Sequence, residues 1–247
     1  MRKFKACLMC ELTKLRLKKK YTVFGIIVVS VCVIAAMIAA LLRTVTASAE
    51  LSIFINMPMV ILPLMSVLVI PLIGIMAVCD LFSAEYYNKT VKAQLMRPVS
   101  RFKIYLSKVL AAWILCTVLM LLTFGVTAVC SLVLGTADNT LYSLGAYLVD
   151  LIPVFVFILL AALLNQVTKG STSAMFLCII VYIGIKAAGI IFPIVDGLMF
   201  TSYLQWHRIW LGTAVTLREL LSKTLLLTGY GVTFFSGGYW LFISREY

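Results

Sequence analysis

Six apolar stretches of about twenty residues follow one another along this chain, at 21–42, 58–78, 109–134, 144–167, 173–195 and 224–243. Nothing else in the sequence limits the fold as strongly. A run of that length crosses the roughly 30 Å hydrocarbon core of a bilayer once. No water is present there to satisfy backbone N–H and C=O groups, so each run has to satisfy its own as a helix. The pattern predicts an all-α integral membrane protein with six transmembrane helices. Composition agrees, since 63% of the 247 residues are apolar and the mean hydropathy is +1.10, where soluble domains sit near half apolar. That length is filled by one bundle, with no room for a soluble domain beside it.

The formal charge of +12 raises the possibility of a nucleic-acid binder. The placement of the charges argues against it, because the basic residues cluster at the ends of the apolar runs, where inner-leaflet lipid and the positive-inside rule account for them. Residues 1–20 carry eight, segment 80–108 carries six, and Lys169 and Arg245 bring that side to 16. Arg43, Arg208, Arg218 and Lys223 make four on the other side, and Lys186 falls inside the fifth run. The bias places both termini and segment 80–108 in the cytoplasm.

Within residues 1–20, Phe4, Leu8, Leu12 and Leu15 share one helical face, with Met9 and Leu17 off it. This predicts an interfacial helix lying on the inner leaflet, separate from the domain of residues 21–247, the alternative being a basic flank that only sets topology. Ala47-Ser-Ala49 resembles a signal-peptide cleavage site, but a preceding apolar run of about 22 residues with Arg43 beyond it is too long for one. Pro58, Pro63 and Pro71 predict an irregular second span, and Pro153 a bent fourth. In 196–223, Tyr203, Trp206 and Trp210, then Leu217, Leu220 and Leu221, recur at helical spacing. They predict two short helices lying at, or dipping into, the outer interface before span six, held by an aromatic belt with His207 as a polar tip, the alternative being an early start to the sixth span.

Catalytic chemistry finds no constellation. The single histidine removes Ser/His and zinc arrangements, Asp80 and Asp150 sit at the ends of different spans, and no glycine-rich phosphate loop is present. Seven cysteines are an odd number for a disulfide framework, and Cys7-Leu-Met-Cys10 has no second pair. The chain is expected to be no enzyme, with no catalytic residue, no metal site and no directly bound cofactor. Lys186 has two readings. It is either a substrate-cavity residue that meets a polar or anionic cargo, or a structural lysine that pairs with Asp150 or Asp196 or snorkels.

Segment 80–108 is the only long charge-dense stretch between two candidate spans, with six basic and two acidic side chains. Thr90 suits an N-cap, Val91–Arg97 makes about two turns, and Pro98 ends them. Ser100 can then cap a helix running into the next span. Phe82-x-x-Glu85, Asn88-Lys-Thr90, Leu95-x-x-Pro98-Val-Ser-Arg101 and Lys108 together resemble the loop between spans two and three of type-two ABC exporter permeases. The six-span layout is similar along the whole chain. Lys89 stands where that family often has glycine, and Asn88 can adopt the same turn.

The resemblance implies a permease subunit of a bacterial ABC exporter in the plasma membrane. Its coupling helix, with Thr90, Val91, Gln94, Leu95, Arg97 and Pro98, would dock on a cytosolic ABC ATPase subunit present in two copies. A second permease, the same chain or a relative, would complete the unit, with ATP and Mg²⁺ bound by the ATPase. Glu85 would form a structural ion pair with Arg101 or with a basic residue of the N-terminal helix. Lys103 and Lys108 read as topology-setting flanks. Short outer links resemble small permeases of antimicrobial-peptide immunity and bacitracin-type resistance, implying an amphipathic peptide or lipid-like toxin as cargo. The rival reading is a non-transporting membrane scaffold or sensor that holds a cytosolic partner. Membrane lipid is a partner in either case, and nucleic acid in neither.

Overall fold

The structure, a computed structural model, describes residues 2–45, 56–87, 99–135, 140–168, 170–192, 197, 199–210 and 217–244. They are helical almost throughout, with no strand among them. Helix α1 (Arg2–Leu17) breaks at Lys18 into α2 (Lys19–Val45). The second span is built from α3 (Met57–Leu64), a π turn (Met65–Val69), α4 (Ile70–Leu81) and α5 (Ser83–Tyr87). Then come α6 (Arg101–Val133), α7 (Thr140–Val167), α8 (Ser171–Ile191), a 3₁₀ helix (Phe200–Gln205), α9 (His207–Trp210) and α10 (Leu217–Ser244).

Five helical stretches are long and apolar enough to cross a membrane: Lys19–Leu41, Met57–Tyr87, Arg101–Val133, Thr140–Val167 and Ser171–Gly189. Helix α10 is not among them. It opens on Arg218, Glu219 and Lys223, and its later turns are diluted by glycine, serine, threonine and tyrosine. It still lies along α7 in the same direction, with Gly231 over Val156 and Gly237 over Leu163. A Cβ on Gly237 would come within 3.0 Å of Leu163 Cδ1, so glycine permits this close approach.

Helix α7 forms the centre of the bundle. Of its most apolar window 67% is buried, against 22% for α2 and 17% for α8. Trp113 Nε1 of α6 donates to the Leu151 carbonyl at 3.1 Å, and the Tyr147 hydroxyl donates to the Pro58 carbonyl at 3.0 Å. Along α6, Thr117, Thr123 and Thr127 donate their hydroxyls to carbonyls one turn back, which satisfies polar groups that apolar surroundings would penalise.

The irregular second span has a specific form. Pro71 has no N–H to offer the Val67 carbonyl four residues earlier, and the helix widens into the π turn between Pro63 and Pro71. The Tyr182 hydroxyl of α8 donates to that Val67 oxygen. Ser100 takes the N-cap position of α6 in extended geometry, as its place in the sequence suggested, though without a side-chain cap bond, and the helix runs from Arg101 into the third span.

The α1 face appears as the periodicity sets it. Leu15 is buried and Phe4, Leu8 and Leu12 are half-buried, while Met9 and Leu17 are exposed. This face packs on α6. Two expectations for 196–223 are corrected. Of the three aromatics assigned to the belt, Tyr203 and Trp206 are buried within the bundle, with Phe200 beside them, because the 3₁₀ helix folds back onto α7 and α8, whereas Trp210 is exposed. Leu220 and Leu221 belong to no separate short helix, since α10 already starts at Leu217.

Candidate functional site: a buried charge network beside residues 88–98

Four ionisable side chains of alternating sign meet where α1 crosses the bundle. Glu11 and Lys14 come from α1, Glu85 from α5 and Lys108 from α6. Glu11 and Lys14 stand one turn apart and bridge at 2.9 Å. Lys14 also reaches Glu85 Oε1 at 2.8 Å. Lys108 Nζ meets Glu85 Oε2 at 2.5 Å and Glu11 Oε2 at 3.4 Å. Its third donor goes to the Leu81 carbonyl at 2.9 Å, in the last turn of α4, where helical carbonyls run short of N–H partners. Lys108 is 1% exposed and Glu11 2%.

Sequence and backbone explain this convergence. Glu11 lies beside the apolar face that α1 buries, so packing Leu8, Leu12 and Leu15 carries it inward. Phe82 breaks the path between α4 and α5, and the single turn of α5 then presents Glu85 inward. Lys108 sits two turns into α6, on the face buried with Ile104 and Tyr105. Two cations and two anions balance, as burial of charge requires. Burial works against the Lys14 ammonium, yet hydrogen bonding and attraction from Glu85 and Glu11 outweigh it and hold its pKa above the ordinary lysine value.

A second tie lies at the α1–α2 break. Asp80, near the end of α4, takes Lys18 at 3.2 Å, Lys20 at 2.6 Å and the Tyr21 hydroxyl at 2.5 Å. Helix α1 is therefore fastened to both flanks of residues 88–98, the α4–α5 end and the start of α6. Arg101 extends the connection by donating to the Ile243 carbonyl of α10 at 3.0 Å.

Thr90, Val91, Gln94, Leu95, Arg97 and Pro98, the residues predicted to dock a partner, lie outside the described residues. The structure does not bring Glu85 and Arg101 together. Glu85 engages Lys14 and Lys108, because Arg101 is exposed on the first turn of α6 while Lys108, about 10 Å further along, faces inward. Of the two partners weighed for Glu85, the N-terminal helix supplies its own in Lys14. Lys108 is corrected from a flank charge to a centre of the network. One signal for it was present, since Arg101 and Lys103 already mark the flank and Lys108 lies beyond them among apolar residues.

At the opposite end, Lys186 is half-buried and donates to the Thr201 carbonyl at 2.7 Å. Asp150 is fully buried and is held by His207, which gives its main-chain N–H to Oδ1 and sets Nδ1 against Oδ2, both at 2.8 Å. His207 is thus a buried partner for Asp150 and no interfacial tip. Their separation of 57 positions hid the pair from any spacing argument. Asp196 lies outside the described residues. Among the described residues no group of three or more histidine, cysteine, aspartate or glutamate side chains could hold a metal ion.

A family model described as ABC-2 family transporter protein matches residues 7–204. No curated protein matches the chain.

Proposed function

The chain belongs to the ABC-2 family of transporter proteins, membrane components that work with an ABC ATPase, and we propose that it is the permease half of an exporter driven through residues 90–97. The observation that supports this is the buried Glu11–Lys14–Glu85–Lys108 network, which joins α1, α5 and α6 on either side of that segment. A force applied to residues 88–98 by an ATPase would reach α4–α5 and α6 together, with α1 moving as part of the same body. Interfaces and packed cores switch between discrete arrangements, so a small push can become a change of state.

In this reading α10 is a sixth crossing, since it follows α7 through the bundle, and both termini are cytoplasmic, in line with the charge bias. Residues 90–97 form the coupling helix, two ATPase subunits bind ATP and Mg²⁺, and a second permease, identical or related, completes the unit. The chain itself hydrolyses nothing. The cargo is an amphipathic peptide or lipid-like toxin moved out of the cell or membrane, and the cell is bacterial. Lys186, at the end of the bundle far from α1, is the residue assigned to a polar part of that cargo.

Co-expression with a cognate ABC ATPase subunit tests the reading. Arg97→Glu and Leu95→Pro should abolish ATPase co-purification while the chain still inserts, and the reconstituted wild-type complex should show vanadate-sensitive, cargo-stimulated ATP hydrolysis. A complex that assembles but shows no stimulated hydrolysis would mark a scaffold or sensor instead.

A further inference from the structure

Between α1, α2 and α6 a groove of about 650 Å³ opens on the outer surface of the bundle, within the roughly 300–1,000 Å³ of small-molecule sites. Leu12 of α1, Ile26 of α2 and Leu115 and Leu122 of α6 line it, and Arg16 is its one charged lining residue. Of the neighbouring lysines, Lys14 is taken by Glu11 and Glu85 and Lys18 and Lys20 by Asp80, while exposed Lys19 does not line the groove. Exposed Arg16 takes no carboxylate among the described residues, and its guanidinium lies at the rim of the groove.

The floor of the groove is kept open by Gly25. A Cβ there would meet only Leu119 Cδ2, at 4.0 Å, so a side chain would fit in space that the protein leaves empty. An unpaired guanidinium at one end of an apolar slot, beside the break where the chain enters its first span, complements an anionic head group on a long hydrocarbon tail. Guanidinium also binds phosphate oxygens in bidentate fashion. We propose that this groove binds one anionic phospholipid, with its phosphate on Arg16 and one acyl chain lying over Gly25 between α2 and α6. The site is separate from the coupling segment and does not depend on what the protein transports. A lipid seated there would contact α1, α2 and α6 at once.

Native mass spectrometry of the full chain in detergent, titrated in parallel with phosphatidylglycerol and phosphatidylcholine, tests the site. Wild type should retain one phosphatidylglycerol in preference to phosphatidylcholine. Arg16→Gln should weaken that retention about tenfold, as expected from loss of a charge-assisted bidentate contact. Gly25→Leu, which fills the groove, should remove it. Lys19→Gln, an exposed neighbour that does not line the groove, should retain lipid as wild type does. Arg16 is exposed, so its variant remains foldable if the glycine variant is not. Equal retention by wild type and Arg16→Gln, equal loss in Lys19→Gln, or no preference between the two lipids overturns the proposal. So does a Gly25→Leu chain that loses self-association but keeps its lipid, which would give the groove to a second copy.

Discussion

Lys108 and Lys14 share the same two carboxylates but differ in surroundings, and that difference predicts how each tolerates loss. Removing Lys108 leaves Glu11 and Glu85 buried with a missing cation, a change that costs about 3–5 kcal/mol in buried pairs. Lys14 is 33% exposed at its side chain, so water screens its contribution to about 1 kcal/mol or less. Lys108→Met should therefore lower the melting temperature in detergent far more than Lys14→Met, and Glu85→Gln should recover part of the loss in the Lys108→Met background. The raised pKa of Lys14 means that its contribution is complete below the ordinary lysine value and is lost only as pH rises through the higher folded one. Lys14 therefore keeps its charge across the physiological range. Its members were visible as residue types, yet their meeting depended on three helices packing, which no local pattern encodes. Asp150 and His207 are the same case at the other end of the bundle.

Among the elements, the second span carries the clearest physical signature. Pro58, Pro63 and Pro71 announced an irregular helix in the sequence, because proline removes a donor wherever it stands. The sequence could not show that the Val67 carbonyl would be rescued from α8. Tyr182→Phe leaves that carbonyl without the hydroxyl and should cost about 1–3 kcal/mol. In a Pro71→Ala background a backbone N–H becomes available locally, and the penalty of Tyr182→Phe should shrink. A thermal double-mutant cycle reads the coupling directly, and additive losses would remove this account of the π turn. Helix α1 is the contrasting case. Its buried face was legible down to the off-face residues Met9 and Leu17, because amphipathic periodicity is local information. Helix α10 was harder to place, since its start at Leu217 lies ahead of its apolar run and its close packing relies on glycines that depress hydropathy.

For the whole molecule, orientation is the quantity to test, and the chain carries its own probe. Cys10 is the exposed cysteine of α1, whereas Cys32, Cys79, Cys116 and Cys178 are buried and Cys7 and Cys130 half-buried. A membrane-impermeant maleimide should spare Cys10 in intact cells and label it once they are permeabilised. A cysteine replacing Leu141, which is 85% exposed at the opposite end, should label in intact cells. The reverse pattern would invert the proposed topology and remove the coupling segment from reach of any cytosolic ATPase. The two flanks of that segment also differ in continuity. Helix α6 runs unbroken for 33 residues, about 50 Å at 1.5 Å per residue, whereas its partner flank is interrupted at Met65–Val69. If residues 88–98 take up a push, as proposed, a continuous rod on one side and an interrupted helix on the other would resolve it into rotation about the interruption, with the rod setting its axis.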